Sequence, residues 1–360
     1  MGDLGFFDLI IGFLLLITPV VFFHELGHYW VARKAGVIVE VFSIGFGPEL
    51  YGWTAKSGTR WRIAAIPFGG FVKMRGDEDA ASTPSQDSGH TKGSFGGAGL
   101  YWRMAIVLAG PVANFILGIF LFAIVYITVG KQILPAEIGE VIPDMPAAEA
   151  GLQTGDLVLE IDGIKIREFN DMRGLIIESP GKQLDFLLRR DDQILTLPVT
   201  PKPQFSEQLD ITVGVLGVKS IPVNARVRLA PSSAVIEATS DAFHMSIMIL
   251  RGLGRAVTGN IQKGEVGGPV RIAEISGTVL NQGIVPFILL TAVISINLGL
   301  INLLPVPALD GGHMAFFLIE AVLGKPLPLH WQAILMRGGI AILMTLTLFL
   351  VLFDLARLIP

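Results

Sequence analysis

One short stretch of this chain carries an immediate chemical reading: His24-Glu25-Leu26-Gly27-His28, an H-E-x-x-H inside an apolar run. On a helix His24 and His28 stand one turn apart on the same face, so both imidazoles can bind one tetrahedral ion with Glu25 beside them as base. The 360 residues include no cysteine. That excludes disulfides and thiolate ligation, and leaves imidazole, carboxylate and water to hold a metal, for which zinc is the natural occupant. A catalytic zinc keeps three protein ligands and one open position. The third must come from elsewhere, and Asn302-Leu303-Leu304-Pro305-Val306-Pro307-Ala308-Leu309-Asp310-Gly311-Gly312-His313 offers two candidates, Asp310 and His313. Pro305, Pro307, Gly311 and Gly312 open the helix there, which a membrane tolerates only where protein or water satisfies the freed backbone.

The elements that must position these groups are set by composition. Hydrophobic residues make up 51% of the chain and charged ones 16%, against about 25% charge in an ordinary globular protein, and mean hydropathy is +0.61. A cytosolic enzyme and a disordered chain are excluded, and a net charge of −4 gives no footprint for nucleic acid. Four long stretches are nearly free of charge: 9–32, interrupted only by Glu25, then 104–130, 275–309 and 338–353. Since roughly 20 apolar residues span a bilayer, they predict transmembrane helices within 1–36, 104–130, 283–309 and 338–354. The last is marginal unless Arg337 snorkels. Asp3 and Asp8 flank the first stretch and no small-residue cleavage site follows it, so it is expected to be an anchor and not a cleaved signal peptide. Arg33, Lys34, Arg103 and Arg337 border one side of the bilayer. The positive-inside rule then puts both termini outside, 31–103 in the cytoplasm and 131–282 outside. The third helix runs in the same direction as the first, which brings Asp310 and His313 to the depth of His24 and His28. Spacing leaves both open as the third ligand.

Residues 37–103 read as a β-hairpin followed by a flexible loop: 39–47 and 61–74 alternate apolar and polar positions, and 76–99 is rich in Asp, Ser, Gly and Thr. Pro67 and Gly69-Gly70 suggest a strand edge or break. An unpaired edge through Gly69, Gly70 and Phe71 near the metal would suit an extended substrate adding as a strand. Residues 138–163 contain a strand, a short helix ending at Gly151, a turn at Gly155-Asp156 and a second strand closed by Asp162-Gly163. Residues 203–282 read as a linker with an interfacial helix over 232–261, too short to span.

H-E-L-G-H, the later N-L-L-P-V-P-A-L-D-G-G and L-A-G-P-V-A-N-F at 108–115 together resemble the site-2 protease family of intramembrane zinc metalloproteases, of the bacterial regulator-of-sigma-E protease type. The resemblance covers nearly the whole chain. It implies that His24, His28 and Asp310 bind Zn2+, that Glu25 is the catalytic base, and that His313 has a packing or supporting role. It also implies that Asn302 holds the substrate near the metal; Asn297 matches the family pattern as well. The string at 147–163 resembles a bacterial PDZ domain spanning 131–202, whose groove, led by Ile138, Gly139, Glu140 and Val141, would take a chain end by strand addition. Residues 204–282 hold no second G-L-x-x-G-D, so this chain departs from members with tandem PDZ modules. The implied fold is a polytopic α-helical membrane protein with four transmembrane helices, a re-entrant β-hairpin on the cytoplasmic side, a 310–337 loop carrying L-D-G, and one external α+β PDZ domain. The implied place is the bacterial inner membrane, with termini and PDZ periplasmic and the active site near the cytoplasmic face. The implied activity is cleavage of single-pass transmembrane proteins within the lipid bilayer, anti-sigma factors or remnant signal peptides, in regulated intramembrane proteolysis. The competing reading is a non-proteolytic PDZ membrane adaptor with a structural metal site. A zinc transporter fits less well, since the second and fourth helices offer almost no polar pathway.

Overall fold

The computed structural model describes residues 6–76, 91–132, 134–166, 168–206, 211–221, 226–257 and 268–358. Two compact units emerge, one formed by Met1–Val125 with Ala230–Pro360 and one by Tyr126–Leu229.

The first unit starts with helix α1 (Phe6–Lys34), the strands β1 (Val39–Thr54) and β2 (Arg60–Met74), and helix α2 (Leu100–Thr128), whose last turn passes into the second unit. In the second unit follow β3 (Lys131–Gln132), β4 (Ile138–Val141), α3 (Pro146–Glu149), β5 (Leu157–Ile161), β6 (Ile164–Lys165), α4 (Phe169–Ile177), β7 (Leu184–Arg190), β8 (Gln193–Val199), β9 (Lys202–Ser206), β10 (Ile211–Val215), β11 (Val218–Ser220) and β12 (Arg226–Val227). The chain returns to the first unit with α5 (Pro231–Val257), α6 (Pro269–Gln282), α7 (Ile284–Asn302), α8 (Asp310–Leu323) and α9 (Leu329–Leu358).

Four helices are long and apolar enough to cross a membrane: Phe7–Lys34, Leu100–Thr128, Ile284–Asn302 and His330–Leu352. Even the 19 residues of α7 reach about 28 Å, close to the hydrocarbon thickness of a bilayer. The chain is a multi-pass membrane protein. The fourth helix is longer than the 338–354 expected, because Arg337 lies within it and does not end it. The third ends at Asn302 and not at 309, and the expected 310–337 loop contains a 14-residue helix, α8. Gly324 caps α8 in the left-handed conformation (φ 68°), and Pro326 and Pro328 carry the chain to α9.

The helix expected over 232–261 is α5, with Ile236, Phe243 and Met248 more than 60% exposed; its expected last turn, 258–261, and most of the expected linker at 76–99 lie outside the described residues. Helix α6 was not expected. Asp354, buried in α9, accepts from the backbone N–H groups of Gly268 and Arg271 and so satisfies two orphan donors at the start of α6.

The hairpin curls upon itself. Residues 41–44 are flanked on one side by 70–73 and on the other by 60–63 (Ser43 faces both Phe71 and Arg62), while 49–54 pair with 60–64. Stacked Phe42 and Trp61 (4.2 Å, 23°) fill its inner face. The segment 70–74 is left as an outer edge.

The second unit buries Ile138, Val158, Ile161, Met172, Phe186 and Leu188 almost completely. Its main sheet has the order β6-β5-β7-β8. The β7–β8 turn places Asp191 and Asp192 at φ 46° and 65°, the left-handed pair that matches the twist of a two-residue hairpin. The G-L-x-x-G-D string has a physical account here. Gly151 and Gly155 take φ of +80° and +93°, Leu152 enters the core, and Asp156, fully buried, accepts Gln153 N–H at 2.8 Å and two Arg190 N–H groups at 2.7 and 2.8 Å.

Two expectations change in this unit. It runs on to Leu229, so part of the expected linker, 203–227, supplies β9 to β12. The strand expected to lead an open groove pairs along one side with β11, and its first residue, Ile138, also donates to Asp156 O and accepts from Gly155 N–H. Ile138 belongs to the core. The open groove, about 540 Å³, lies instead between α4 (Met172, Arg173, Ile176) and 213–220.

Candidate metal centre

Helix α1 presents His24 and His28 inward, each 8% exposed. Their Nε2 atoms are 3.3 Å apart, and Asp310 Oδ2 lies 3.2 Å from the first and 3.5 Å from the second. Ligand bonds of about 2.0–2.1 Å at a tetrahedral ion set the donors roughly 3.3–3.4 Å apart. The triangle therefore has the size that zinc requires. Asp310 Oδ2 is buried and, among the described residues, meets no donor in hydrogen-bond geometry, as a ligand oxygen should. Two nitrogens and one carboxylate oxygen form a donor set suited to zinc.

Asp310 reaches this position because the chain turns sharply after α7. Ala308 adopts φ 80°, a strained conformation for a residue with a Cβ, and Asp310 then opens α8, where the helix N-terminus favours a carboxylate. Across the unit, Arg103 of α2 grips Glu320 of α8 with two hydrogen bonds of 3.1 and 2.6 Å and lies over the Phe317 ring, which docks α8 against α2. Spacing left Asp310 and His313 both open as the third ligand. The donors that converge are those of His24, His28 and Asp310, while His313, one turn further along α8, lines the cavity edge-on to Phe316.

Helix α2 forms the wall behind the two histidines. Ile106, Gly110 and Asn114, at successive four-residue steps, share one face. The Ile106 carbonyl accepts from His28 Nδ1–H at 2.8 Å, and the Asn114 side chain meets His24 Nδ1 at 3.2 Å. Between them a Cβ on Gly110 would run into both imidazoles. Gly27 of α1 in turn faces Ala109 and Ala113 so closely that a side chain there would strike the Ala109 carbonyl. Small residues thus let the two helices approach, as membrane helices commonly do. The sequence alone assigns no role to Ile106, Gly110 or Asn114. The available signal was an amide four residues after a glycine in an otherwise apolar helix.

The donors open into a cavity of about 460 Å³, also lined by Glu25, Phe46, Gly69, Gly70, Phe71 and Asn302. Glu25 is 9% exposed. A Cβ on Gly70 would approach Val21 and the Glu25 side chain to 3.0 and 3.1 Å and the Ser43 carbonyl to 2.8 Å, so a residue without a side chain is what lets the hairpin edge lie against Glu25. Phe71 stacks on Phe46 beneath the Arg62 guanidinium. Asn302, at the end of α7, joins the site; Asn297 does not line the cavity, and its Oδ1 is buried without a partner among the described residues. Ile138, Gly139, Glu140 and Val141 belong to the other unit.

The profile of peptidase family M50 matches residues 12–346. A protein of Agrobacterium fabrum named as a zinc metalloprotease is 40% identical, over 97% of this chain and 96% of its own length. The metalloprotease MmpA of Caulobacter vibrioides is 36% identical, over 98% of this chain and 97% of its own length. Among solved structures, the PDZ domain of an SdrC-like protein from Listeria monocytogenes matches 25% of this chain and 92% of its own, at 21% identity and a TM-score of 0.21.

Proposed function

Because the chain belongs to peptidase family M50 and is a membrane zinc metalloprotease, we propose that it is an intramembrane endopeptidase in which His24, His28 and Asp310 hold the zinc and Glu25 is the base. The observation that carries this reading is the convergence of three donors, at the spacing of a tetrahedral ion, in a cavity that also contains a carboxylate and a strand edge. When bound there, zinc supplies Lewis acidity at the scissile carbonyl and a water acidified to a pKa of about 7. The Glu25 carboxylate would take the proton of the attacking water and pass it to the leaving amine. Asn302 donates its amide N–H to the substrate carbonyl near the metal.

The substrate is a single-pass transmembrane segment, unwound and laid in extended form along the edge through Gly69, Gly70 and Phe71, where backbone pairing gives affinity without demanding a sequence. Exposed Leu50, Tyr51, Trp53 and Ile66 on the hairpin support a re-entrant placement in the bilayer, since such a cluster is costly in water. The sidedness follows the basic flanks: termini outside, site near the cytoplasmic face, in a bacterial inner membrane. The second unit is a PDZ module that screens or captures substrates through the groove beside α4. The cellular role is regulated intramembrane proteolysis, with anti-sigma factors or remnant signal peptides as the substrate classes.

The test is cleavage of a panel of single-pass segments in proteoliposomes by the wild type and by Glu25→Gln. The wild type cuts within the apolar segment and the variant does not. Intact substrates with both proteins, at full zinc occupancy, would favour the adaptor reading instead.

A further inference from the structure

We infer that Asn114 is a positioning residue of the metal centre, whose side-chain oxygen accepts the Nδ1 proton of His24 and so frees His24 Nε2 for the ion. This rests on the metal-centre reading above. A neutral imidazole carries one proton, and a nitrogen that binds zinc must not hold it. For His28 the matter is closed by the Ile106 carbonyl, which can only accept; at 2.8 Å it fixes the proton on Nδ1 and leaves Nε2 bare. His24 has no such carbonyl. The group facing its Nδ1, at 3.2 Å, is the Asn114 amide.

An amide offers either a donor or an acceptor, depending on which of two nearly equivalent orientations it takes. With the amide nitrogen towards His24, Asn114 Oδ1 has no partner among the described residues although the side chain is fully buried, and the proton of His24 is forced onto Nε2, which points at Asp310. That arrangement opposes the metal. With the oxygen towards His24, the proton moves to Nδ1 and three bare donors converge. Zinc binding therefore selects the oxygen-facing orientation.

Two further contacts support a built site. Ser295 Oγ–H of α7 donates to the backbone carbonyl of Asn114 at 2.8 Å, and a Cβ on Gly299 would come within 3.2 Å of the Asn114 Cβ. Both hold this turn of α2 firmly. The amide thus reaches the imidazole from a fixed backbone, as the outer partners of metal-binding histidines generally do.

The test compares zinc affinity, by competition with a chelator, for the full-length protein in detergent as wild type, Asn114→Ala and Asn114→Asp, with the melting of each apo protein as the folding control. The acceptor reading expects about one zinc per wild-type chain, a dissociation constant raised roughly 10- to 100-fold in Asn114→Ala, and near-wild-type affinity in Asn114→Asp, whose carboxylate can only accept. Unchanged affinity in the alanine variant overturns the inference. So does loss of affinity in a folded Asn114→Asp protein equal to that in Asn114→Ala, since a required donor would behave so. A folded wild type that binds no zinc overturns the metal-centre reading itself, and this inference with it.

Discussion

The two units place their polar groups in opposite ways. In Tyr126–Leu229 the interior is Ile138, Val158, Ile161, Phe186 and Leu188, and among the described residues Asp156 is the one buried polar side chain, paired with Arg190. In the other unit His24, Glu25, His28, Asn114, Thr291 and Ser295 are buried, while Ile342, Met344, Leu348 and Phe349 of α9 are 60% exposed or more. Apolar burial can hold the first together in water. It cannot do so for helices whose outer faces meet lipid, where close packing and polar contacts must serve. The buried polar group of the second unit has a structural account, whereas His24, Glu25 and His28 of the membrane helices all line one cavity.

The comparison can be broken most sharply at Glu25. Glu25→Gln is expected to lower cleavage by about 10²- to 10⁴-fold with zinc content unchanged, read by turnover and by metal analysis of the same preparation. In the second unit the equivalent blow is Asp156→Ala, which strips Arg190 and the Gln153 N–H of their acceptor. It should cost about 3 kcal/mol, seen as earlier unfolding of that unit by hydrogen exchange, while zinc binding stays as it was. Gly70→Val separates substrate placement from metal binding: it pushes the hairpin edge off Glu25 and is expected to reduce cleavage about 100-fold at normal zinc content. Smallest is Arg103→Ala, which leaves Glu320 without its partner at 15% exposure. A loss of about 2 kcal/mol is expected, detected by thermal unfolding and by weaker zinc retention as α8 loosens.

The grouping of donors at the candidate site was legible in part, because residue type and spacing alone carried it. His24, Glu25 and His28 share a helix, so periodicity sufficed, and parallel helix direction brought Asp310 to their depth. Asn114, Gly110 and Ile106 were not legible, since their part depends on which face of α2 meets α1, and an apolar helix gives no sign of that. The choice between Asp310 and His313 needed the turn at Ala308. In the fold, α8 was hidden by the two glycines that begin it, which read as a loop but lie in its first turn. The groove of the second unit was misplaced for a related reason. Whether β4 is an edge depends on β11, almost eighty residues away in sequence, and no local pattern reports such a pairing.

The proposed centre holds zinc with two imidazoles and one carboxylate. Its most direct test is X-ray absorption at the zinc edge on the purified wild type and on Asp310→Ala, with metal counted in both. About one zinc per chain, with only nitrogen and oxygen donors near 2.0–2.2 Å and marked loss of metal in the variant, is the predicted result. Full retention of zinc in an unchanged coordination shell after loss of Asp310 would contradict it.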